Sequence, residues 1–342
     1  MKRPWLAPFT PLYAAGVALR NRRIENGTEP VRRLRWPVVS VGNLSTGGSG
    51  KTPLTIALAK ALAERGFHVD VLSRGYGRRS KLAARVLPGC SAEEFGDEPL
   101  LIARETGVPV YVARQRYEAG LLAEADGASG EPSRGDSGID LGVHLLDDGF
   151  QHRQLARDVD ILLLNREDWL DCLLPGGNLR EPIRALRRAT VVAIPATETE
   201  LEAELRTWFM TWGWQGPVWR LHRTMEVQPA DGPVGAFCGI ARPEQFFAGL
   251  EAAGLRIANR SAFPDHHGYT PADLRRLAAS ARAAGATVLV TTEKDQVRLG
   301  ALASTLPASL PLKTAGLRVE IEEQDISWLI DRLKAAPAHP PL

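Results

Sequence analysis

The chain has 342 residues, of which 44% are hydrophobic and 24% charged, and its net charge is +2. This is globular composition, long enough for two domains, and it offers no chain-wide surface for nucleic acid. The cysteines Cys90, Cys172 and Cys238 show no paired spacing, which argues against a disulfide framework or a cysteine zinc site and fits a reducing compartment.

The N-terminus is apolar and aromatic, from Trp5 through Leu19, and a basic run follows with Arg20, Arg22, Arg23, Arg32, Arg33 and Arg35. Two prolines interrupt the apolar part, and no stretch reaches the roughly 20 residues of a spanning helix. The pattern predicts an amphipathic helix from about Leu12 to Arg23. Such a helix lies on a membrane surface or docks on the protein's own core, and periodicity alone leaves both open.

Val38 to Val41 reads as a strand, and a glycine-rich loop follows it at once. Leu54, Ala57, Leu58, Ala61 and Leu62 then recur at helical spacing up to a cap at Gly66, and Val69 to Leu72 is the next strand. This is the βαβ unit of a parallel sheet. Helices over 99–105 and 116–125 flank a strand at 108–112. Residues 126–140, rich in Gly, Ser and Asp, read as a mobile insertion loop. Strands follow at 143–146, 159–164 and 190–194, then a tryptophan-rich helix over 197–214. A second α/β run has strands at 234–238 and 287–291 and helices at 243–253 and 271–284. The expected fold is α/β, a P-loop NTPase-type parallel sheet flanked by helices with a second, smaller α/β lobe. Its divisions are an N-terminal membrane-associating segment 1–35, a core 36–195 and a C-terminal lobe 196–342.

The chemistry is written most clearly in Ser45-Thr46-Gly47-Gly48-Ser49-Gly50-Lys51-Thr52. Gly50-Lys51-Thr52 fits the end of a Walker A loop, although Ser45 stands at its first glycine. Glycines let backbone N–H groups converge on phosphate oxygens, Lys51 reaches the β- and γ-phosphates, and the Thr52 hydroxyl suits Mg²⁺. The loop follows a strand and opens a helix, as this motif requires. Asp147 and Asp148 end an apolar strand, where a Walker B carboxylate belongs.

Further along, the motifs form a recognisable series. Val41-Gly42-Asn43-Leu44 runs into the loop, and Ser73-Arg74-Gly75-Tyr76-Gly77-Arg78 and Gly96-Asp97-Glu98-Pro99 follow. Then come Asp147-Asp148-Gly149-Phe150-Gln151-His152, Leu174-Pro175-Gly176-Gly177 with Leu179-Arg180-Glu181-Pro182, Phe263-Pro264-Asp265-His266-His267, and Thr291-Thr292-Glu293-Lys294-Asp295. In this order they resemble the tetraacyldisaccharide 4'-kinase family over nearly the whole chain, and Ser45 is normal in that family's pattern.

The resemblance implies ATP- and Mg²⁺-dependent phosphorylation of the 4'-hydroxyl of a tetraacylated disaccharide 1-phosphate in lipid A biosynthesis. It also implies peripheral attachment to the cytoplasmic face of the inner membrane through the N-terminal helix. By the same resemblance Asp97 is the base and His266 its partner. On the residues alone Asp97 is equally a helix cap, and His266 a loop histidine or metal ligand. Asp148 and Lys51 join the catalytic group, and Glu181 is expected to complete a metal shell with Thr52, Asp147 and Asp148. Arg74, Tyr76, Arg78 and Arg180 are expected at the glycolipid, where the sheet's carboxyl edge binds ligands. The segment 292–295 is assigned to adenine contact, although an N-cap at Thr292 explains the same residues. Two other readings use the loop: a P-loop ATPase or GTPase that phosphorylates nothing, or a nucleotide-switched membrane-binding module.

Overall fold

The computed structural model describes residues 3–87, 89–129 and 141–336. A 3-10 turn, Pro4–Phe9, enters α1 (Thr10–Glu25). The first lobe continues through β1 (Val38–Asn43), α2 (Lys51–Glu64), β2 (His68–Ser73), β3 (Ala84–Val86), α3 (Ala92–Phe95), α4 (Asp97–Thr106), β4 (Val110–Val112), α5 (Arg116–Ser129), β5 (Gly142–Asp147), β6 (Val159–Leu163), α6 (Arg166–Trp169), β7 (Val191–Pro195) and α7 (Thr199–Trp212). Then follow β8 (Val218–Val227), β9 (Val234–Cys238), α8 (Pro243–Ala252), β10 (Ile257–Ala262), α9 (Pro271–Ala283), β11 (Val288–Thr292), α10 (Glu293–Leu299), β12 (Leu312–Glu320) and α11 (Glu323–Ala335).

The described strands form one twelve-stranded sheet in the order β10-β9-β11-β12-β8-β7-β6-β1-β5-β2-β4-β3. All neighbours are parallel except β3 with β4 and β8 with β12. β1, β5 and β6 are buried along their whole length, as parallel strands covered on both faces must be. Successive side chains alternate between faces. On β6, Ile161 and Leu163 join a core with α2, α4 and α11, whereas Leu162 packs with α7. Leu54, Leu58 and Leu62 of α2 are fully buried, each contributing about 1.5–3 kcal/mol.

The expected boundary at 195/196 is not where the sheet divides. Leu201, Leu205 and Phe209 of α7 pack with Val192 and Ile194, so α7 belongs to the first lobe. The chain crosses between lobes within β8. Val218 to Leu221 pairs in parallel with β7, and His222 to Val227 pairs antiparallel with β12. It returns through α11, whose Ile326, Leu329 and Leu333 pack in the first lobe's core. The sequence reading had not foreseen β8, β10, β12 or α11. It ended α5 too early, since that helix runs to Ser129; the rest of the expected insertion, 130–140, lies outside the described residues.

A buried charged cluster fastens the segment after α1 to the sheet. His144 is fully buried on β5; its Nδ1 lies 2.7 Å from Asp70 Oδ1 on β2 and its Nε2 3.3 Å from Glu124 Oε1 on α5. Glu124 also accepts the backbone N–H groups of Arg35 and Trp36 at 2.6 and 3.1 Å. Burial alone would lower the His144 pKa, but the two carboxylates drive it up to about 9, so the ring carries a proton at neutral pH. The Trp36 ring stacks 5.3 Å from the imidazole, a placement only a glycine at 142 allows, since a Cβ there would lie 2.0 Å from the indole. Asp70→Ala leaves this buried cation with Glu124 as its remaining carboxylate. It is expected to lower unfolding free energy by about 3–5 kcal/mol, measured by urea titration.

Candidate active site

The P-loop lies between β1 and α2, and the helix N-terminus faces the loop's interior. Gly47 and Gly50 have φ of 141° and 89°, which L side chains rarely adopt, so glycine is required at both. Thr46 to Thr52 line a cleft of about 580 Å³, while Ser45 is buried beneath it. Ser45 Oγ accepts from Asn43 Nδ2 at 2.9 Å, and Asn43 Oδ1 accepts from Lys51 Nζ at 3.0 Å. The serine at the first loop position therefore orients the amide that holds the lysine. Lys51 Nζ also lies 3.5 Å from Asp148 Oδ1.

Asp147 ends β5 and Asp148 follows it, next to β1, where Val41 pairs with Asp147. Asp147 is buried and accepts from Thr55 Oγ1 at 3.2 Å; burial and the charges of Glu98 and Asp148 raise its pKa. Asp148 is more open, and both its oxygens accept from Arg180, at 3.1 and 3.0 Å. Burial opposes its charge, but Lys51 and Arg180 hold it well below the usual carboxylate range. No group of three or more His, Cys, Asp or Glu side chains among the described residues makes a metal cage. Two adjacent carboxylates beside a phosphate loop, one raised by its acidic neighbours, fit a hard divalent cation that keeps water and phosphate oxygens as its remaining ligands.

Asp97 opens α4 after Gly96. Its Oδ1 accepts from the Glu98 N–H at 2.9 Å, and its Oδ2 lies 3.1 Å from His266 Nδ1 and 2.5 Å from Arg298 Nε. Burial would raise its pKa, yet the His266 hydrogen bond and the charges of Lys294 and Arg298 pull it far below normal. Asp97 and His266, 169 positions apart, thus meet across the two lobes. Among the described residues, the non-glycine positions with positive φ are Asp148 (49°) and His266 (58°). Each such conformation costs about 1–3 kcal/mol and is kept where surrounding structure enforces it.

A second, polar cavity of about 840 Å³ adjoins the cleft. α1 supplies Tyr13, Val17, Arg20 and Asn21; the loops after β2 and β5 supply Arg74, Tyr76, Gln151 and His152, and the start of α5 supplies Arg116. Arg74, Tyr76, Arg116, Asp148 and Arg180 line both spaces and form their common wall. Arg116 is buried and its Nε has no partner among the described residues; burial lowers its pKa to about 10. Burial and the surrounding arginines push His152 down to about 3, so it adds no charge. The cavity is built to receive an anion.

Two expected site residues stand elsewhere. Glu181 does not join the aspartate pair. Arg188 grips both its oxygens at 2.7 and 2.9 Å, and Asn21 of α1 donates to one of them at 3.2 Å, so it braces the polar cavity. Arg78 lines neither space; it donates to the Leu82 carbonyl at 2.8 Å and ties its own loop. Thr292 caps α10, accepting from the Asp295 N–H at 3.0 Å, and Lys294 pairs with Glu98 at 2.7 Å. Thr292, Glu293 and Lys294 nevertheless line the cleft, together with the apolar side chains of Met225, Ile240, Phe246 and Leu317. The sequence reading missed Arg116, Arg298 and Arg223. Arg223, on β8, donates to the Ser49 carbonyl at 3.0 Å and reaches the P-loop from the joint.

Comparisons with known proteins identify the family of the chain. The sequence model of the family described as tetraacyldisaccharide-1-P 4'-kinase matches residues 2–334. A tetraacyldisaccharide 4'-kinase of Koribacter versatilis is 41% identical over 329 residues, 93% of this chain and 95% of that protein. One of Rhodopseudomonas palustris is 37% identical over 342 residues, 97% of this chain and 93% of that protein. The crystal structure of LpxK from Aquifex aeolicus in complex with ATP superposes with a TM-score of 0.70, at 32% identity, covering 96% of this chain and 98% of that one.

Arg223→Ala removes the donor to the Ser49 carbonyl and leaves the loop less ordered. The dissociation constant for a magnesium nucleotide is expected to rise about tenfold, or ~1.4 kcal/mol, by calorimetric titration.

Proposed function

The chain belongs to the tetraacyldisaccharide 4'-kinase family, and from that premise we propose how its residues divide the work. It is an ATP-dependent kinase of lipid A biosynthesis that phosphorylates the 4'-hydroxyl of tetraacyldisaccharide 1-phosphate. The observation carrying the assignment of residues is the wall shared by the phosphate cleft and the anion-accepting cavity, because phosphoryl transfer needs donor and acceptor in line across one boundary.

On this reading Thr46 to Thr52 cradle the ATP phosphates, and Lys51 neutralises charge on the transferred group. Thr52, Asp147 and Asp148 would hold Mg²⁺, which when bound neutralises charge on the β- and γ-phosphate oxygens. The adenine lies against the cleft's apolar side chains near Thr292. Arg74, Tyr76 and Arg180 hold the disaccharide, with Arg116 and Arg20 beside its 1-phosphate; the buried Arg116 guanidinium with a vacant N–H suits that group. Asp97 takes the hydroxyl proton and His266 fixes the orientation of its carboxylate. A carboxylate held so acidic accepts a proton only late, once the oxygen has begun to bond to phosphorus, which suits a loose transition state.

The membrane role of α1 belongs to the same reading. No helix among the described residues is long and apolar enough to cross a membrane. Trp5, Phe9, Leu12 and Leu19 are exposed, and in α1 only Ile24 is buried. The helix reaches the first lobe through polar groups instead: Tyr13 to the Arg180 carbonyl, Arg20 to that of Gln151, and Asn21 to Glu181. Trp5, Phe9, Leu12 and Leu19 are thus the side chains turned to lipid at the inner face of the membrane, beside the cavity that takes the glycolipid headgroup.

Transfer of labelled γ-phosphate to a purified tetraacylated disaccharide 1-phosphate tests the assignment. Asp97→Ala is expected to cut transfer by about 10²-fold or more and leave ATP affinity within a few-fold. Loss of ATP binding instead would mark Asp97 as structural. For the membrane, replacing Leu12 and Leu19 by Glu is expected to weaken flotation with anionic vesicles by about tenfold or more, since each buried leucine is worth about 1.5–3 kcal/mol. Unchanged flotation would send the anchor elsewhere.

A further inference from the structure

Asp97 and His266 arise from different lobes, yet their hydrogen bond requires a fixed distance between them. We propose that Arg298 is a positioning residue of the transfer reaction, which holds Asp97 and His266 in one frame across the lobes. The inference rests on the reading of Asp97 as the base.

Arg298 lies on α10 with its side chain 7% exposed. Its Nε donates to Asp97 Oδ2 at 2.5 Å. One terminal nitrogen donates to the Gly239 carbonyl at 2.6 Å and to Asp295 Oδ1 at 2.8 Å. The same Gly239 carbonyl accepts the backbone N–H of His266 at 3.2 Å, at the residue whose φ is +58°. One planar guanidinium therefore touches the carboxylate directly and fixes the peptide on which the imidazole is hung. Its own seat is rigid. Asp295 is wholly buried and accepts from the Tyr269 hydroxyl at 3.0 Å, the Gly239 N–H at 3.1 Å and the Thr292 hydroxyl at 2.6 Å.

Other charges surround Asp97 but do not join the pair in this way. Lys294, also on α10, is 3.9 Å from Asp97 and is committed to Glu98 at 2.7 Å. Asp265 faces His266 at 3.9 Å from the loop before α9. A lysine in place of Arg298 supplies charge without the fork that meets two acceptors at fixed angles.

A merely structural salt bridge between α10 and α4 would affect folding and leave the chemistry's pH response alone, so pH profiles are decisive. The experiment measures transfer by the full chain, with ATP and a tetraacylated disaccharide 1-phosphate, for R298Q, R298K and D97N. R298Q is expected to lower kcat by at least about tenfold while the KM for ATP stays within about twofold. Its acid limb should also move to higher pH, because losing a cation beside Asp97 lets the carboxyl take up a proton more readily. R298K is expected to keep the limb near its original position and still lose kcat. Wild-type kcat in R298Q, or a lower kcat with an unmoved acid limb, overturns the inference. If R298Q does not fold, wild-type kcat in R298K does so. Full transfer by D97N defeats the base reading itself, whereas an inactive D97N beside an unimpaired R298Q defeats only the role given to Arg298.

Discussion

An ammonium group held 3.5 Å from a carboxylate, where two neighbouring parallel strands end, organises this molecule. Lys51 begins the helix after β1, and Asp148 follows the last residue of β5; the register that pairs Val41 with Asp147 brings them together. Strands buried on both faces cannot slip without moving every side chain to the wrong face, so the core's hydrophobicity fixes that separation. The acidic and basic groups of the site are arranged around this pair, with Arg180 on the far side of Asp148 and Asn43 behind Lys51. The site is strongly charged, and its polar groups hydrogen-bond one another.

The second lobe completes the chemistry. Asp97 belongs to the first lobe, while His266, Lys294 and Arg298 reach it from the second. Neither lobe alone holds the carboxylate in this setting, so the environment of Asp97 exists only in the joined arrangement. The positive φ of His266 marks the backbone conformation this arrangement imposes, and the Gly239 carbonyl helps enforce it.

Much of this could be read in the sequence, for a physical reason. A phosphate loop, a strand ending in two aspartates and the pair Gly96-Asp97 are contiguous, and local backbone geometry fixes what they can do. The βαβ start was legible from helical spacing in Leu54, Leu58 and Leu62. Isolated arginines were not. Arg116, Arg223 and Arg298 look like any surface arginine until the fold brings them to the site, and Arg78, from a motif that looked functional, serves its own loop. Glu181, assigned to the metal through the family resemblance, is gripped by Arg188 seven residues on and by Asn21 of α1, contacts its own sequence neighbours do not reveal. β8 and β12 were missed because polar and apolar residues are mixed along both, and β8 alternates exposed with covered positions. The N-terminal helix was legible as a helix, but its attachment through polar contacts was not.

The way the chain passes between lobes has a mechanical consequence. It goes out along β8 and returns along β12, and these two strands are antiparallel partners from His222–Glu320 to Val227–Ala315. The strap joining the lobes is therefore a ladder of hydrogen bonds. Sliding one lobe past the other would break those rungs together, whereas coiling the ribbon about its length breaks none, and paired strands tolerate a wide range of coiling. Relative movement is thereby channelled into torsion. Arg223, one rung into the ribbon and bonded to the Ser49 carbonyl, would carry that rotation to the phosphate loop itself, so the grip on the nucleotide and the angle between the lobes are geared together.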